Sequence, residues 1–121
     1  MEKQTYSYEE AFAKSLEYFN GDELAARVWV NKYAVKDSFG NIYEQSPEDM
    51  HWRLANEVAR IEAKYKNGLS AQQLFELFDH FRYIVPQGSP MTGIGNDFQV
   101  ASLSNCFVIG MGGEADSYGA I

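Results

Sequence analysis

Cys106 is the single cysteine in this chain of 121 residues, and it stands in the run Ser104-Asn105-Cys106-Phe107. A thiol can attack, ligate or be oxidised, but one cysteine closes no intrachain disulfide. With only two separated histidines, His51 and His80, it makes no zinc set either. Taken by type alone, Cys106 reads as a small apolar core residue. Two hydroxyl-bearing pairs stand nearby. Ser89-Pro90 lies in a stretch, Val85 to Asp97, that holds three Gly and two Pro, and Asp116-Ser117 has the form of a helix cap. Between them, Phe107-Val108-Ile109 followed by Gly110-Met111-Gly112-Gly113-Glu114-Ala115 fits a strand and then G-x-G-x-x-A, a pattern that seats a pyrophosphate on a helix amino terminus. The acid that this motif needs about 20 residues later falls outside the chain. Gly93-Ile94-Gly95 fails the same pattern because position 98 is Phe.

The charge narrows the partners. A net charge of −7 speaks against a protein that grips nucleic acid by its phosphates. It leaves room for one small phosphorylated ligand, which backbone amides can hold without lysine. No window reaches the length of apolar residues that spans a bilayer, and Met1-Glu2-Lys3-Gln4-Thr5 has no apolar signal region, so a cytoplasmic protein without membrane contact is expected. Eight Phe, eight Tyr and two Trp in a composition that is 45% apolar suit a packed core of large side chains.

Four helices account for most of the chain that must position these residues. Three starts share a signal, a Ser three residues before an acid or amide: Ser7 to Glu10, Ser46 to Asp49 and Ser70 to Gln73. Pro47 follows the second at the position where a helix tolerates proline best. The first helix is expected over about 8–19, with Asn20-Gly21 as its stop. Asp22 caps a second helix through Leu24, Val28, Trp29 and Tyr33, and Asp37-Ser38-Phe39-Gly40-Asn41 is a turn. The third helix carries the stripe Met50, Leu54, Val58, Ile61 and Tyr65, has Arg53 among its off-stripe charges, and stops at Asn67-Gly68. The fourth carries Leu74, Phe75, Leu77, Phe78 and Phe81 and is apolar enough to be buried among the others. From Val85 to Asp97 there is no helical period, and Gln99 to Ile109 reads as a strand. A lone strand has unpaired backbone, so residues 86–121 look like the start of something larger than themselves. His51 and His80 are expected to be packing or surface residues, and the Glu and Lys run of the third helix a solvated face.

The segment Val85-Pro86-Gln87-Gly88-Ser89-Pro90-Met91, then Ser102-Leu103-Ser104-Asn105-Cys106-Phe107-Val108-Ile109, then Asp116-Ser117 resembles the large, catalytic subunit of ribonucleotide reductase. In that family a Ser/Thr-Pro segment precedes a glycine-containing loop, a strand with a Leu-Ser-x-Cys-Phe pattern opens the catalytic barrel, and an Asp-Ser pair follows. Asn20-Gly21-Asp22-Glu23-Leu24-Ala25-Ala26-Arg27-Val28 and the turn from Tyr33-Ala34 to Asp37 are similar to the family's amino-terminal helical domain. The resemblance implies a mostly α fold: an amino-terminal helical bundle (1–85) followed by the first strand of a truncated α/β barrel (86–121).

It also implies roles. Cys106 matches the reducing cysteine of the first barrel strand, one of two thiols that become a disulfide as the ribose 2′-hydroxyl leaves as water. Ser89 matches the residue that contacts the substrate phosphates, and Asn105 stands at the substrate-adjacent position beside the cysteine. Asp116, with Ser117, matches the acid that holds the deoxyribose hydroxyl of an allosteric deoxynucleotide effector, on a helix that lies at a homodimer interface in the family. The ribonucleotide is the substrate, and a thioredoxin-like protein is the reductant. No cofactor or metal is expected on this segment. The full enzyme would use either adenosylcobalamin, towards which the Ser-Asn-Cys form and the absence of an amino-terminal ATP-binding activity domain lean, or a separate metal-bearing radical-generating subunit.

The radical-bearing cysteine, its glutamate and asparagine partners and the carboxy-terminal cysteine pair of the family have no match here, so the fragment alone is expected to be inactive. Two other readings compete: a dinucleotide-binding fragment of another oxidoreductase, carried by the glycine pattern at 110–115, and a non-enzymatic helical interaction module.

Overall fold

A computed structural model of the chain describes residues 3–110. The described residues are helical, in the order α1 (Tyr8–Tyr18), α2 (Glu23–Lys32), α3 (Pro47–Glu62), α4 (Ala71–Phe78) and the short α5 (Gly88–Gly93), with a 3-10 turn at Asp79–Phe81 between the last two. None of these helices is long and apolar enough to cross a membrane. α1 packs on α2 and α3 packs on α4, and a single core of Ala11, Trp29, Val30, Met50, Leu54, Leu74 and Phe78 joins the two pairs.

The helix ends follow from their local chemistry. Ser7 and Ser70 each close a full capping box, with Glu10 and Gln73 as the reciprocal partners. At the end of α1 the backbone turns left-handed at Asn20 (φ 55°) and Gly21 (φ 90°). There the Gly21 N–H reaches the Leu16 carbonyl at 2.8 Å and the Asn20 N–H reaches Glu17 at 3.2 Å, the paired bonds of a Schellman ending. The Asp37 carboxylate organises the predicted turn, accepting from the N–H groups of Phe39 and Asn41 and from the Tyr43 hydroxyl at 2.9–3.0 Å. These bonds hold its carboxyl below the usual range, the Asn41 side chain contributing most.

Several expectations need correction, among them the fourth helix, which ends at Phe78 and leaves Phe81 in the 3-10 turn. The Ser46 side chain makes no cap bond; Asp49 instead accepts from the Gln45 N–H at 3.0 Å, its short side chain bonding just outside the helix. α3 ends at Glu62, before the Asn67-Gly68 stop, so Tyr65 leaves the stripe and lies exposed. α5 forms where no helical period is legible, in a Gly-, Pro- and Ser-containing segment that is held from outside rather than by its own propensity. Arg53, expected off the apolar stripe, is largely buried, its side chain 11% exposed.

The strand expected over 99–109 does not form among the described residues: the segment has no regular secondary structure, bends at Leu103 and pairs with no described residue. Backbone pairing among the described residues is limited to isolated bridges, Tyr6 with Ile42 and Lys36 with Ile42, so there is no sheet edge for it to join. Ala101 and Leu103 lie near Gly93 of α5 and Asn105 lies near Gly88, although Leu103 stays about half exposed. The apolar residues Val100, Phe107, Val108 and Ile109 remain exposed.

Candidate functional site

The return of the 101–105 segment along α5 brings together two of the residues singled out by sequence. The Ser89 backbone N–H donates to the Asn105 side-chain oxygen at 2.8 Å, across 16 positions of chain. The same Asn105 amide lies 3.9 Å from where a Cβ on Gly88 would sit, and the Tyr33 ring lies 3.4 Å from it. Thr92 closes α5 internally, its hydroxyl donating to the carbonyls of Gly88 (3.1 Å) and Ser89 (3.2 Å). Cys106 follows directly after Asn105 as an exposed free thiol. Ser89, Asn105 and Cys106 therefore occupy one locality, with the thiol open to solvent among the described residues. Asp116 and Ser117, and the glycine pattern from Met111 onward, lie outside the described residues.

Beneath this locality is an ionic anchor. Arg53 donates through Nε to Glu44 Oε2 at 3.0 Å, and its two Nη atoms reach the carbonyls of Ile94 and Met91 at the far end of α5. Glu44 Oε1 in turn accepts from the Val35 N–H at 3.0 Å. Both side chains are nearly out of solvent. Burial pushes the Glu44 carboxyl up, and the charge and hydrogen bonds of Arg53 oppose that rise. Removing one member of such a pair leaves a buried charge alone and costs about 3–5 kcal/mol. Arg53 and Glu44 are the residues that reading the sequence missed. The available signal was position: Arg53 is three residues from Met50 and one from Leu54, at the border of the stripe, where a charged residue is half turned inward.

A second polar cluster lies where α1, α3 and the 3-10 turn meet. The Tyr18 hydroxyl donates to Asp79 Oδ1 at 3.0 Å, accepts from the His80 N–H at 2.6 Å and lies 3.4 Å from His51 Nδ1. The His51 side chain is fully buried and its Nε2 has no partner. Burial lowers the His51 pKa to about 4, against the opposing pull of Asp79. His51 is thus a neutral packing residue, as its lack of ligand partners in the sequence suggested. His80 stacks on the Tyr18 ring with centroids 4.5 Å apart. Among the described residues no group of three or more His, Cys, Asp and Glu gathers to hold a metal ion.

None of the curated proteins and none of the solved structures gives a match to this chain. The family described as ribonucleotide reductase, all-alpha domain, matches residues 19–93, more than half of the chain. That span runs from the Schellman ending of α1 through α2, α3 and α4 to the last residue of α5, and it includes Glu44, Arg53 and Ser89. The helices found here and the family's all-α description agree, and the chain belongs to the ribonucleotide reductase all-alpha domain family.

Proposed function

We propose that this chain is the amino-terminal part of a ribonucleotide reductase catalytic subunit, with a helical domain over 1–85 and the opening of the catalytic barrel over 86–121. The observation that supports this reading is the 2.8 Å bond between the Ser89 N–H and the Asn105 side chain, which joins the segment holding Ser89 to the residue preceding Cys106. In the proposed reaction Cys106 and a second thiol from outside this chain each give up one proton and one electron, which together replace the ribose 2′-hydroxyl by hydrogen. They are joined as a disulfide, the ribonucleotide loses its 2′-hydroxyl as water, and a thioredoxin-like protein restores the two thiols by exchange. Ser89 holds the substrate phosphates through its hydroxyl, and Asn105 sets the loop against the cysteine. Asp116 and Ser117 receive the deoxynucleotide effector. The homodimer, and the choice between adenosylcobalamin and a metal-bearing radical-generating subunit, belong to the same proposal, with the cobalamin form preferred.

In a complete reductase chain carrying this segment, Ser89→Ala is expected to raise KM for cytidine diphosphate or triphosphate about tenfold, the loss of one charge-assisted hydrogen bond, while kcat falls less. An unchanged KM removes Ser89 from the substrate site. Turnover with adenosylcobalamin and no second subunit decides the radical source.

A further inference from the structure

α5 spans six residues, too short to hold its own geometry in water. It is gripped at both ends. At one end Asn105 accepts from the Ser89 N–H. At the other, the Arg53 guanidinium donates to the carbonyls of Met91 and Ile94. Arg53 is itself locked, because Glu44 binds its Nε and also accepts from the Val35 N–H, which ties the fork to the chain leaving α2. The guanidinium is suited to this task, since its donors radiate in a fixed plane and can serve a carboxylate and two carbonyls at once, which an ammonium on a flexible stem cannot do. We infer that Arg53 is a positioning residue for nucleotide binding: by fixing the carbonyl end of α5 it sets where Ser89 meets Asn105. This inference rests on the reading of Ser89 as a substrate contact.

The test uses two variants, because Arg53→Met alone strands the Glu44 charge and the protein can fail to fold for that reason. Arg53→Met combined with Glu44→Gln removes both charges, keeps an acceptor for the Val35 N–H and releases only the hold on α5. Arg53→Lys keeps the charge and loses the fork. In the 121-residue chain, the double variant is expected to speed hydrogen exchange at the Ser89 amide about tenfold, with the core amides of Ala26 and Val30 unchanged. In the complete reductase, the double variant raises KM for cytidine diphosphate or triphosphate about tenfold, equivalent to about 1.4 kcal/mol, with a smaller fall in kcat; Arg53→Lys gives an intermediate KM. A purely structural Arg53 would lower the fraction of active enzyme and leave KM alone. Unaltered exchange at Ser89 overturns the inference. So does a normal KM in the double variant when Ser89→Ala raises it. If Ser89→Ala itself leaves KM unchanged, the substrate reading fails and takes the inference with it.

Discussion

The Tyr18 hydroxyl accepts a 2.6 Å hydrogen bond from the backbone N–H of His80, 62 positions away, at the point where the chain turns left-handed. His80 and Phe81 both have φ of 54°, a region that non-glycine residues enter at a cost. The same hydroxyl donates to Asp79, so one oxygen satisfies the turn on both sides. Burial holds the phenol well above its ordinary pKa, so the proton that it donates stays in place even at alkaline pH where an exposed phenol ionises. Tyr18→Phe should therefore destabilise the domain by about 1 kcal/mol, the net worth of hydrogen bonds whose partners, Asp79 and the His80 N–H, are part-exposed. Chemical denaturation measures the loss, and faster exchange at the His80 amide locates it. A change within a few tenths of a kcal/mol would mean that water replaces the hydroxyl without penalty.

His51 makes the domain sensitive to acid. Its pKa in the folded state is about 4, below the ordinary 6.5, mainly because burial penalises the charged ring. Between those values the unfolded chain binds the proton and the folded one does not, so stability rises with pH. The contribution is fully present above pH 6.5 and is lost as pH falls towards about 4. Discounted for partial relaxation of the site, it is on the order of 2 kcal/mol. Asp79, His80 and Arg53 share the ring's electrostatic surroundings, so the curve should be read against His51→Asn, which lacks the titrating ring. If wild type and variant lose stability in parallel over that window, His51 is not the cause.

Much of this was legible in the residues. The three Ser starts, the Asn20-Gly21 stop and the Asp37 to Asn41 turn are short-range signals, and each states its own geometry except Ser46, where Asp49 bonds to the Gln45 N–H instead. α5 was not legible because its stability comes from Arg53 and Asn105, which are 35 or more and 12 or more residues from its nearer ends in sequence. Arg53 hid for a related reason. A charged residue beside an apolar stripe reads as solvated until the carbonyls that it serves are known. The pairing of Ser89 with Asn105 needed the three-dimensional return of the chain, which no local pattern announces.

Gly95 links the anchor to the turn that follows α5. It adopts φ 71°, and a Cβ there would stand 2.9 Å from Arg53 Cγ. Gly95→Ala thus combines a left-handed backbone cost of about 1–2 kcal/mol with pressure on the Arg53 stem. The expected result is a lower unfolding midpoint together with a shifted Arg53 Nε resonance. If the midpoint falls but that resonance stays put, the cost is backbone strain alone and the side chain is not displaced.

Cys106 has the most discriminating test. A reducing cysteine and a structural one differ in what serine can replace. Serine is close to cysteine in size, and the proposed phosphate contact lies at Ser89, so Cys106→Ser in a complete reductase should leave nucleotide affinity near normal. Multiple turnover should stop, because a hydroxyl cannot join a disulfide and the two electrons then have no source. Radical formation on a different cysteine should persist. The exposure of Cys106 sharpens the contrast: an exposed thiol that only packs would tolerate serine within about 0.5 kcal/mol, as most surface substitutions do, and would keep its activity. Steady-state turnover measured beside nucleotide affinity separates the two cases. Normal turnover in Cys106→Ser would withdraw the catalytic role and leave Ser89 and Asn105 as a binding locality without a reductant.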